Sequence, residues 1–437
     1  MNPLFLAAVL VLPSLLHGQA AGRPDLVVTN GKIVTVDAGF SIAEALAIRG
    51  DRIVAVGTHA EIGRLAGPKT RTVNLAGKTV LPGLIDSHVH AGGASMYEFD
   101  HPVPEMETIA DVLDYIAKRA ALLEKGSWIR VQQVFITRLR ERRFPTRAEL
   151  DRVAPEHPVW FRTGPDAALN SLALERSGID RDFELPEDSA ARIERDPESG
   201  EPTGIIRSAG GLVKVESSDR VPTFEDRVAR LRELIADYNR VGLTGISDRN
   251  ASVSSIRVYE ELRKRGELSC RVYLYAAVNA RAPIGEIRRN LALLASKRLH
   301  DYDQLLWLRG AKIFLDGGML TGSAYMLKPW GVSKSYGIED PAYRGMRYVE
   351  PEKLYQIAKA ALENELQITA HAVGDGAVET LVDAYARIAE NDFPVRDKRP
   401  CVTHCNFMSE DAIEKMRKYG IVADLQPAWL HLDGSTL

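Results

Sequence analysis

The sequence is short of cysteine, of long apolar runs and of any excess of one charge. Its 437 residues include three cysteines, too few and odd in number for a disulfide framework, so the core must hold the fold. The 56 Lys and Arg nearly balance the 59 Asp and Glu, for a formal net charge of −3. That balance gives no electrostatic reason to expect a nucleic-acid partner. No stretch approaches the roughly 18 apolar residues of a membrane helix, so no stable membrane span is expected.

The N-terminus differs from the rest of the chain. Residues from Asn2 to Leu16 are nearly all apolar, yet the run is too short to span a bilayer comfortably. Gly18-Gln19-Ala20 places small residues at the −3 and −1 positions of a signal-peptidase site. The pattern predicts a signal peptide over residues 1–20 and an exported protein, periplasmic or secreted. A buried or disordered segment is the alternative, because no Lys or Arg precedes the apolar run.

Residues 25–82 read as short β-rich runs broken by turn residues. Asn30-Gly31 is a hairpin signal, and Gly50-Asp51 lies between two further apolar runs. Several short strands at this spacing predict a small antiparallel β-sandwich.

After Pro82-Gly83, continuous apolar strands alternate with amphipathic helices, which indicates a parallel sheet. The seven strand candidates are Leu84–His90, Leu243–Ser247, Arg271–Ala276, Leu308–Leu315, Gln367–His371, Pro400–His404 and Ile421–Leu425. The helical patterns include Phe224–Val241, Val258–Arg265, Pro351–Glu363, Ala377–Glu390 and Ser409–Tyr419. Residues 83–437 are therefore predicted to form an α/β barrel of the (β/α)8 TIM type.

One interval in the barrel is too long. Roughly 150 residues separate His90 from Gly242, whereas one βα unit takes about 30. A large insertion after the first strand, at about residues 95–230, is expected to cover the barrel mouth.

Four histidines lie at the carboxyl ends of candidate barrel strands, where active sites of this fold are found. His88 and His90 are two apart on one strand, so their side chains share a face. His371 and His404 each end a later strand. A core histidine explains one such position easily but not four, so the pattern indicates a site for a divalent metal.

Lys312 lies in the middle of the fourth candidate strand. An inward lysine would bury an ammonium group, which is costly unless the group is paired or chemically changed. One interpretation is an ion pair with Asp316, four residues on. The other is a carboxylated lysine whose two oxygens bridge two metal ions. Strand alternation places Cys401 and Cys405 on the opposite face from His404, facing the outer helices.

Leu81-Pro82-Gly83-Leu84-Ile85-Asp86-Ser87-His88-Val89-His90 resembles the signature of the amidohydrolase superfamily. Three later segments resemble the branch that includes N-substituted formamide deformylases, known as amidohydrolase family three. They are Lys312 to Gly317, His371-Ala372-Val373-Gly374-Asp375 and Thr403-His404-Cys405. The Arg195 to Gly204 segment of the insertion is similar as well.

This resemblance implies a metal-dependent hydrolase that acts on a non-peptide, amide-like C–N bond of a small molecule through metal-activated hydroxide. The implied metal ligands are His88, His90, Lys312, His371 and His404. One or two divalent ions, of which zinc is expected, and a carboxylated Lys312 are the implied cofactors. Residues 25–82 would then be the N-terminal part of a composite sandwich.

Two features depart from the family pattern. Many relatives carry Gly-His a few residues before Asn-Ser, but here Gly164-Pro165 precedes Asn170-Ser171. Asn170 is the remaining candidate for substrate binding. The family also places a catalytic aspartate on an eighth strand, which this sequence does not contain. Truncation of a longer chain is the expected reason, with Asp248, Asp316, Asp375 and Asp424 as weaker substitutes, and the activity of the chain as given is left open.

Three further functions stay open at this point. The same site would suit a cyclic-amide hydrolase or a deaminase, and the same fold would suit a secreted, catalytically inactive binding protein. A homo-oligomer is compatible with the sequence.

Overall fold

The structure is a computed structural model that describes residues 22–132, 134–186, 191–208, 211–215 and 221–434. The expected signal peptide lies outside these residues, so export stays a prediction. The chain divides into two compact units, Met1–Leu84 and Ile85–Leu437. Within the described ranges, no helix is both long enough and apolar enough to cross a membrane.

The first unit consists of two small sheets and one short helix. Strands β5-β4-β1-β6 form one sheet in that order, and β3-β2-β7 form the other. Val27, Ala45, Ala47 and Ile62 pack together as its core. Its elements are β1 (Leu26–Thr29), β2 (Lys32–Val34), β3 (Ile42–Ala43), β4 (Ala45–Arg49), β5 (Arg52–Gly57), α1 (His59–Gly63), β6 (Arg71–Asn74) and β7 (Thr79–Val80).

The two turn signals in this unit have different outcomes. Gly50-Asp51 joins β4 to β5 as an antiparallel pair in which Arg49 faces Arg52. The hairpin prediction at Asn30-Gly31 is wrong, because β1 pairs with β4 and β6 while β2 pairs with β3 and β7. Asn30 has φ +55° and turns the chain from one sheet into the other. Gly31 fits there because a Cβ would come within 2.2 Å of Leu75.

The second unit starts with a barrel strand and then departs into a subdomain of its own. Five strands form a sheet in the order β12-β13-β11-β10-β9, and a turn after Arg195 joins β12 to β13 as an antiparallel pair. The elements are β8 (Leu84–Val89), α2 (Ala91–Ala94), α3 (Ile109–Leu122), β9 (Ile129–Val131), α4 (Arg147–Val153), β10 (Val159–Thr163), β11 (Asp166–Leu169), α5 (Ser171–Ser177), β12 (Arg192–Arg195) and β13 (Pro202–Arg207).

The chain then returns to the barrel. Seven strands form one sheet in the order β19-β18-β17-β16-β15-β14-β8, and the pairs from β14 to β19 are parallel. Each of the seven predicted strands is present. The remaining elements are α6 (Phe224–Arg240), β14 (Leu243–Ala251), α7 (Val253–Lys264), β15 (Arg271–Ala277), α8 (Ile284–Ala295), β16 (Leu306–Phe314), α9 (Pro351–Glu363), β17 (Gln367–Ala372), α10 (Asp375–Asn391), β18 (Cys401–His404), α11 (Glu410–Tyr419), β19 (Val422–Leu425) and α12 (Pro427–Asp433).

The sheet is a nearly closed TIM-type barrel. In the described residues β8 and β19 are its two outer strands, and no backbone pairing joins them to each other. Strand residues such as Ile368 and Ala370 pack with Leu381 and Tyr385 of α10 in one buried cluster. Burial on both faces explains why these strands read as continuous apolar runs.

A prediction concerns the charge of Glu149 in α4. Its carboxylate accepts hydrogen bonds from Arg143 at 2.7 and 2.8 Å, and these bonds are the main reason why its pKa falls to about 2. A lowered pKa stabilises the fold above the unfolded value of about 4.5, and the contribution is lost as the pH falls toward 2. Gln keeps the capping box with Thr146. We expect Glu149→Gln to cost about 1 kcal/mol at pH 7 after solvent screening.

Urea unfolding at pH 7 and pH 3 measures this difference, which should be smaller at pH 3. Glu156→Gln is the matched control, because its pair with Lys125 is exposed on both sides and should contribute little. Equal losses at the two pH values would contradict the assignment.

Candidate active site

The four histidines predicted as ligands come together inside the barrel. The His88 and His90 Nε2 atoms are 3.4 Å apart. The ring of His404 lies 4.9 Å from that of His88 and 4.6 Å from that of His371, measured between centroids. Strands β8, β17 and β18 therefore deliver their carboxyl-terminal histidines to one place.

In three of these rings one nitrogen faces an oxygen outside the cluster. His371 Nε2 donates to the backbone oxygen of Gly317 at 2.9 Å. His404 Nδ1 contacts Oε1 of Gln426, the residue after β19. His88 Nδ1 lies 3.5 Å from a carboxylate oxygen of Asp424. A hydrogen bond of this kind fixes which nitrogen carries the hydrogen, so the other nitrogen of His371 and of His404 keeps its lone pair.

All four rings are expected to be neutral near pH 7. Burial, with further contributions from neighbouring charges, lowers the pKa of His90 and of His371 to about 3. The same effects lower the pKa of His88 and place that of His404 well below its usual value. Neutral imidazole is the form that binds a metal ion.

Lys312 lies in the same interior and has no hydrogen-bond partner among the described residues. Its side chain is 1% exposed. The proposed ion pair with Asp316 is not found in the described structure. Burial, and then the charge of Arg249, lowers the pKa of Lys312 to about 7, so about half of the amine is uncharged near pH 7.

These donors fit a divalent metal in part. Two nitrogens that each bind a tetrahedral ion at about 2.0–2.1 Å lie about 3.4 Å apart, and the His88–His90 separation has this value. In the residues that the structure describes, no three His, Cys, Asp or Glu side chains are arranged to hold an ion as they stand. The pair is therefore in ligand geometry, while His371, His404 and the unpartnered Lys312 amine surround it.

His404 reaches the cluster by leaving strand geometry. The expected alternation is wrong here, because Cys401 faces the barrel interior and accepts a contact from Arg249 at 3.4 Å. Regular alternation from Cys401 would turn His404 outward. Instead His404 has φ +85° and Cys405 has φ +49°, and this strained turn brings the imidazole back inside. Strain of this kind is common at functional sites.

The four acidic candidates have different surroundings. Asp316 accepts the backbone N–H groups of Tyr325, Val373 and Gly374 at 2.9–3.0 Å. Asp248 binds Gly92 N–H and the hydroxyl of Tyr259. Asp375 holds Leu327 N–H at the start of α10. Two of the four acids contact the histidine cluster. Asp316 lies 3.7 Å from His371, and Asp424 lies 3.5 Å from His88.

A cavity of about 970 Å³ opens above the cluster. His371 and His404 line its floor, and the inserted subdomain supplies part of its wall. The wall is mostly apolar and aromatic, with two arginines: Phe135, Trp160, Arg162, Arg281, Phe314, Tyr348 and Trp429. Sequence reasoning missed these residues, because they come from the insertion and from several distant segments of the barrel, and only the fold brings them to one wall.

Asn170, expected to bind substrate, lies away from the cavity. It is 0% exposed and caps α5, where its side chain binds Val159, His157 and Ala173. It does not line the cavity, so a substrate contact is replaced by a structural role. Gly164 and Pro165, the departure from the family pattern, do line the cavity.

A comparison of the sequence with known protein families gives a match over most of the chain. Residues 71–436 match the amidohydrolase family, and the chain belongs to that family. It is therefore a hydrolase by family.

Particular relatives can be named. The chain is 30% identical to the protein LONG AFTER FAR-RED 3 of Arabidopsis thaliana over 94% of this chain and 70% of that protein. It is also 30% identical to the N-substituted formamide deformylase of Arthrobacter pascens, over 83% of this chain and 66% of that protein. A crystal structure of a metal-dependent hydrolase from Pyrococcus horikoshii matches with a TM-score of 0.63 at 22% identity, over 93% and 75% of the two chains. The chain thus spans two thirds to three quarters of these proteins.

Proposed function

We propose that the protein is a metal-dependent amidohydrolase that cleaves an amide-like, non-peptide C–N bond of a small molecule. The observation that carries the proposal is the pair of neutral imidazoles in metal-ligand geometry, His88 and His90, beside two further histidines and a buried lysine with a lowered pKa. The N-substituted formamide deformylase among the relatives supports the C–N specificity.

His88, His90, His371 and His404 would hold one or two divalent ions, with Lys312 as a bridging ligand after carboxylation. When bound, such an ion acidifies water and polarises a carbonyl group. The amine of Lys312 suits carboxylation because its uncharged form, with a free lone pair, is the one that attacks CO₂. Zinc is the ion we propose, since imidazole donors in a tetrahedral arrangement favour it.

The chain itself orients the substrate and excludes water. The apolar wall formed by Phe135, Trp160 and Trp429 would bury an apolar or aromatic group. Arg162 stacks on Trp160 and Arg281 on Tyr348, each 5.5 Å from the ring centroid. Guanidinium groups held in this way bind carboxylates well, so an amide with an aromatic body and a carboxylate is the favoured substrate.

The experiment is a substrate panel on the purified chain loaded with zinc or manganese. N-formyl and N-acyl aromatic amines, each with and without a carboxylate, should release amine, and a chelator should abolish the release. The carboxylated member should have the lower KM, and Arg281→Ala should remove that preference. Metal binding without hydrolysis of any amide would contradict the proposal and favour a binding protein.

Deamination and cyclic-amide hydrolysis are alternatives on the same residues. Ammonia release from amino-substituted heterocycles, or ring opening of lactams and imides, measures each of them in the same metal-loaded protein. A rate higher than that for open-chain amides would replace the substrate class while leaving the metal site in place.

A further inference from the structure

A buried polar layer lies directly beside the histidine cluster. Arg249, on β14, is 6% exposed, and its Nε donates to the backbone oxygen of Ser87 at 2.8 Å. Its guanidinium stacks 4.4 Å from the ring centroid of Tyr275 and also contacts the sulfur of Cys401. A buried guanidinium is costly without a counter-charge, so its placement requires an anionic partner.

Asp424 is that partner. It is 4% exposed on β19, and one of its oxygens, Oδ1, accepts the hydroxyl of Ser87 at 2.5 Å. The other, Oδ2, lies 3.5 Å from Arg249 Nε and 3.5 Å from His88 Nδ1. Ser87 and Arg249 thus set the orientation of the carboxylate from two sides.

The remaining contact joins His88 Nδ1 to Asp424 Oδ2. His88 Nδ1 and Asp424 Oδ2 are both buried, and neither makes a full hydrogen bond with any described residue. A buried polar atom without a partner is costly, and at 3.5 Å a small adjustment joins these two. Asp424 does not line the cavity in the described structure, so it faces the imidazole and not the substrate space.

We propose that Asp424, oriented by Arg249 and Ser87, is a positioning residue that accepts the Nδ1 proton of His88 and so directs the Nε2 lone pair toward the metal. The inference rests on the proposed function for its consequence, since a ligand must present one defined nitrogen. The test of the inference does not depend on the proposed function, because His88 has a defined tautomer with or without metal. It also assigns Asp424 a role other than that of general base.

A purely structural role is the competing explanation. The same contacts tie β8 to β19, the two outer strands of the sheet, which share no backbone pairing in the described residues. Loss of Asp424 would then loosen the barrel without any specific effect on His88. The test must therefore separate the state of one imidazole from the stability of the fold.

The first measurement is the tautomer of His88 in the metal-free full chain, from the 15N chemical shifts of 15N-histidine-labelled protein. The loss of one signal pair in His88→Gln assigns the resonances. We expect Nδ1–H in the wild type and a mixture of tautomers in Asp424→Asn. An Nε2–H tautomer in the wild type, or an unchanged tautomer in Asp424→Asn, would overturn the proposal.

The second measurement is zinc affinity by competition with a chromophoric chelator. Changes to outer partners of ligating histidines usually cost 10–100-fold in metal affinity, and we expect a loss in that range for Asp424→Asn. Asp433→Asn is the matched control, a buried carboxylate that pairs with Arg138 instead. It should affect the thermal midpoint but not the affinity.

A lower thermal midpoint of Asp424→Asn with unchanged affinity would establish the structural role alone and overturn the proposal. If Asp424→Asn does not fold, Ser87→Ala removes only one hydrogen bond to the carboxylate and should weaken zinc binding a few-fold. If the wild type binds no zinc, the proposed function fails, whereas the wild-type tautomer still decides the role of Asp424.

Discussion

The double variant His88→Ala/His90→Ala should lose most of its bound metal, and any metal-dependent hydrolysis should fall by at least about 100-fold. The two Nε2 atoms have the separation of ligands on one ion. The other donors around them do not converge by themselves, so nothing in that part of the chain replaces the pair. Metal content by elemental analysis after dialysis is the direct measurement.

His59→Ala is the control for this variant, because His59 is exposed and lies in the other unit of the chain. It should keep both metal content and unfolding midpoint. Wild-type metal content in the double variant would refute the assignment of this pair as ligands, whatever its effect on activity.

Lys312→Met should separate stability from function. The variant removes an amine that is 1% exposed and has no hydrogen-bond partner, so the metal-free protein should unfold at an equal or higher temperature. Because the folded pKa of about 7 is below the unfolded value of about 10.5, the wild type gains stability as the pH rises from 7 to 10.5. The advantage of Met should therefore be largest at pH 7 and below, and shrink toward pH 10.5.

The same variant should lose the ion that a carboxylated lysine would bridge, with activity falling by at least about 100-fold. A short carboxylic acid should partly restore metal binding to Lys312→Ala, because it supplies the missing oxygens. Lys312→Arg keeps the charge but cannot be carboxylated, so it should fail as well. Full metal content and activity in Lys312→Arg would show that the residue is an ordinary buried cation.

The strands and helices of the barrel could be predicted from the sequence where burial or a helix start signal left a clear pattern. Strands buried on both faces leave continuous apolar runs, and Val272-Tyr273-Leu274-Tyr275-Ala276 in β15 is one of them. Helix α9 was found with both ends correct, since Pro351 at its first position marks where it begins. Helix α8 (Ile284–Ala295) was not, because its start at Pro283 offers no side-chain cap.

The candidate site was found by residue type but not by geometry. Four histidines at strand ends were enough to select side chains that come together in the structure, although strand alternation gave the wrong face for Cys401. The turn after β18 gives His404 a φ of +85°. Neither glycine nor asparagine stands at that position, so the sequence does not indicate a positive φ there. Arg249 was missed, although two adjacent charged residues, Asp248 and Arg249, directly after the predicted strand Leu243–Ser247 were a signal for it.

The cavity draws its floor from barrel strands and much of its wall from the inserted subdomain, and this division affects how the protein can evolve. The wall residues Trp160 and Arg162 lie in β10, far in sequence from the histidines. Mutations there would alter substrate choice without disturbing the ligands or the polar layer beside them. Selection can therefore explore new substrates through one segment of the gene while the reactive centre is inherited unchanged.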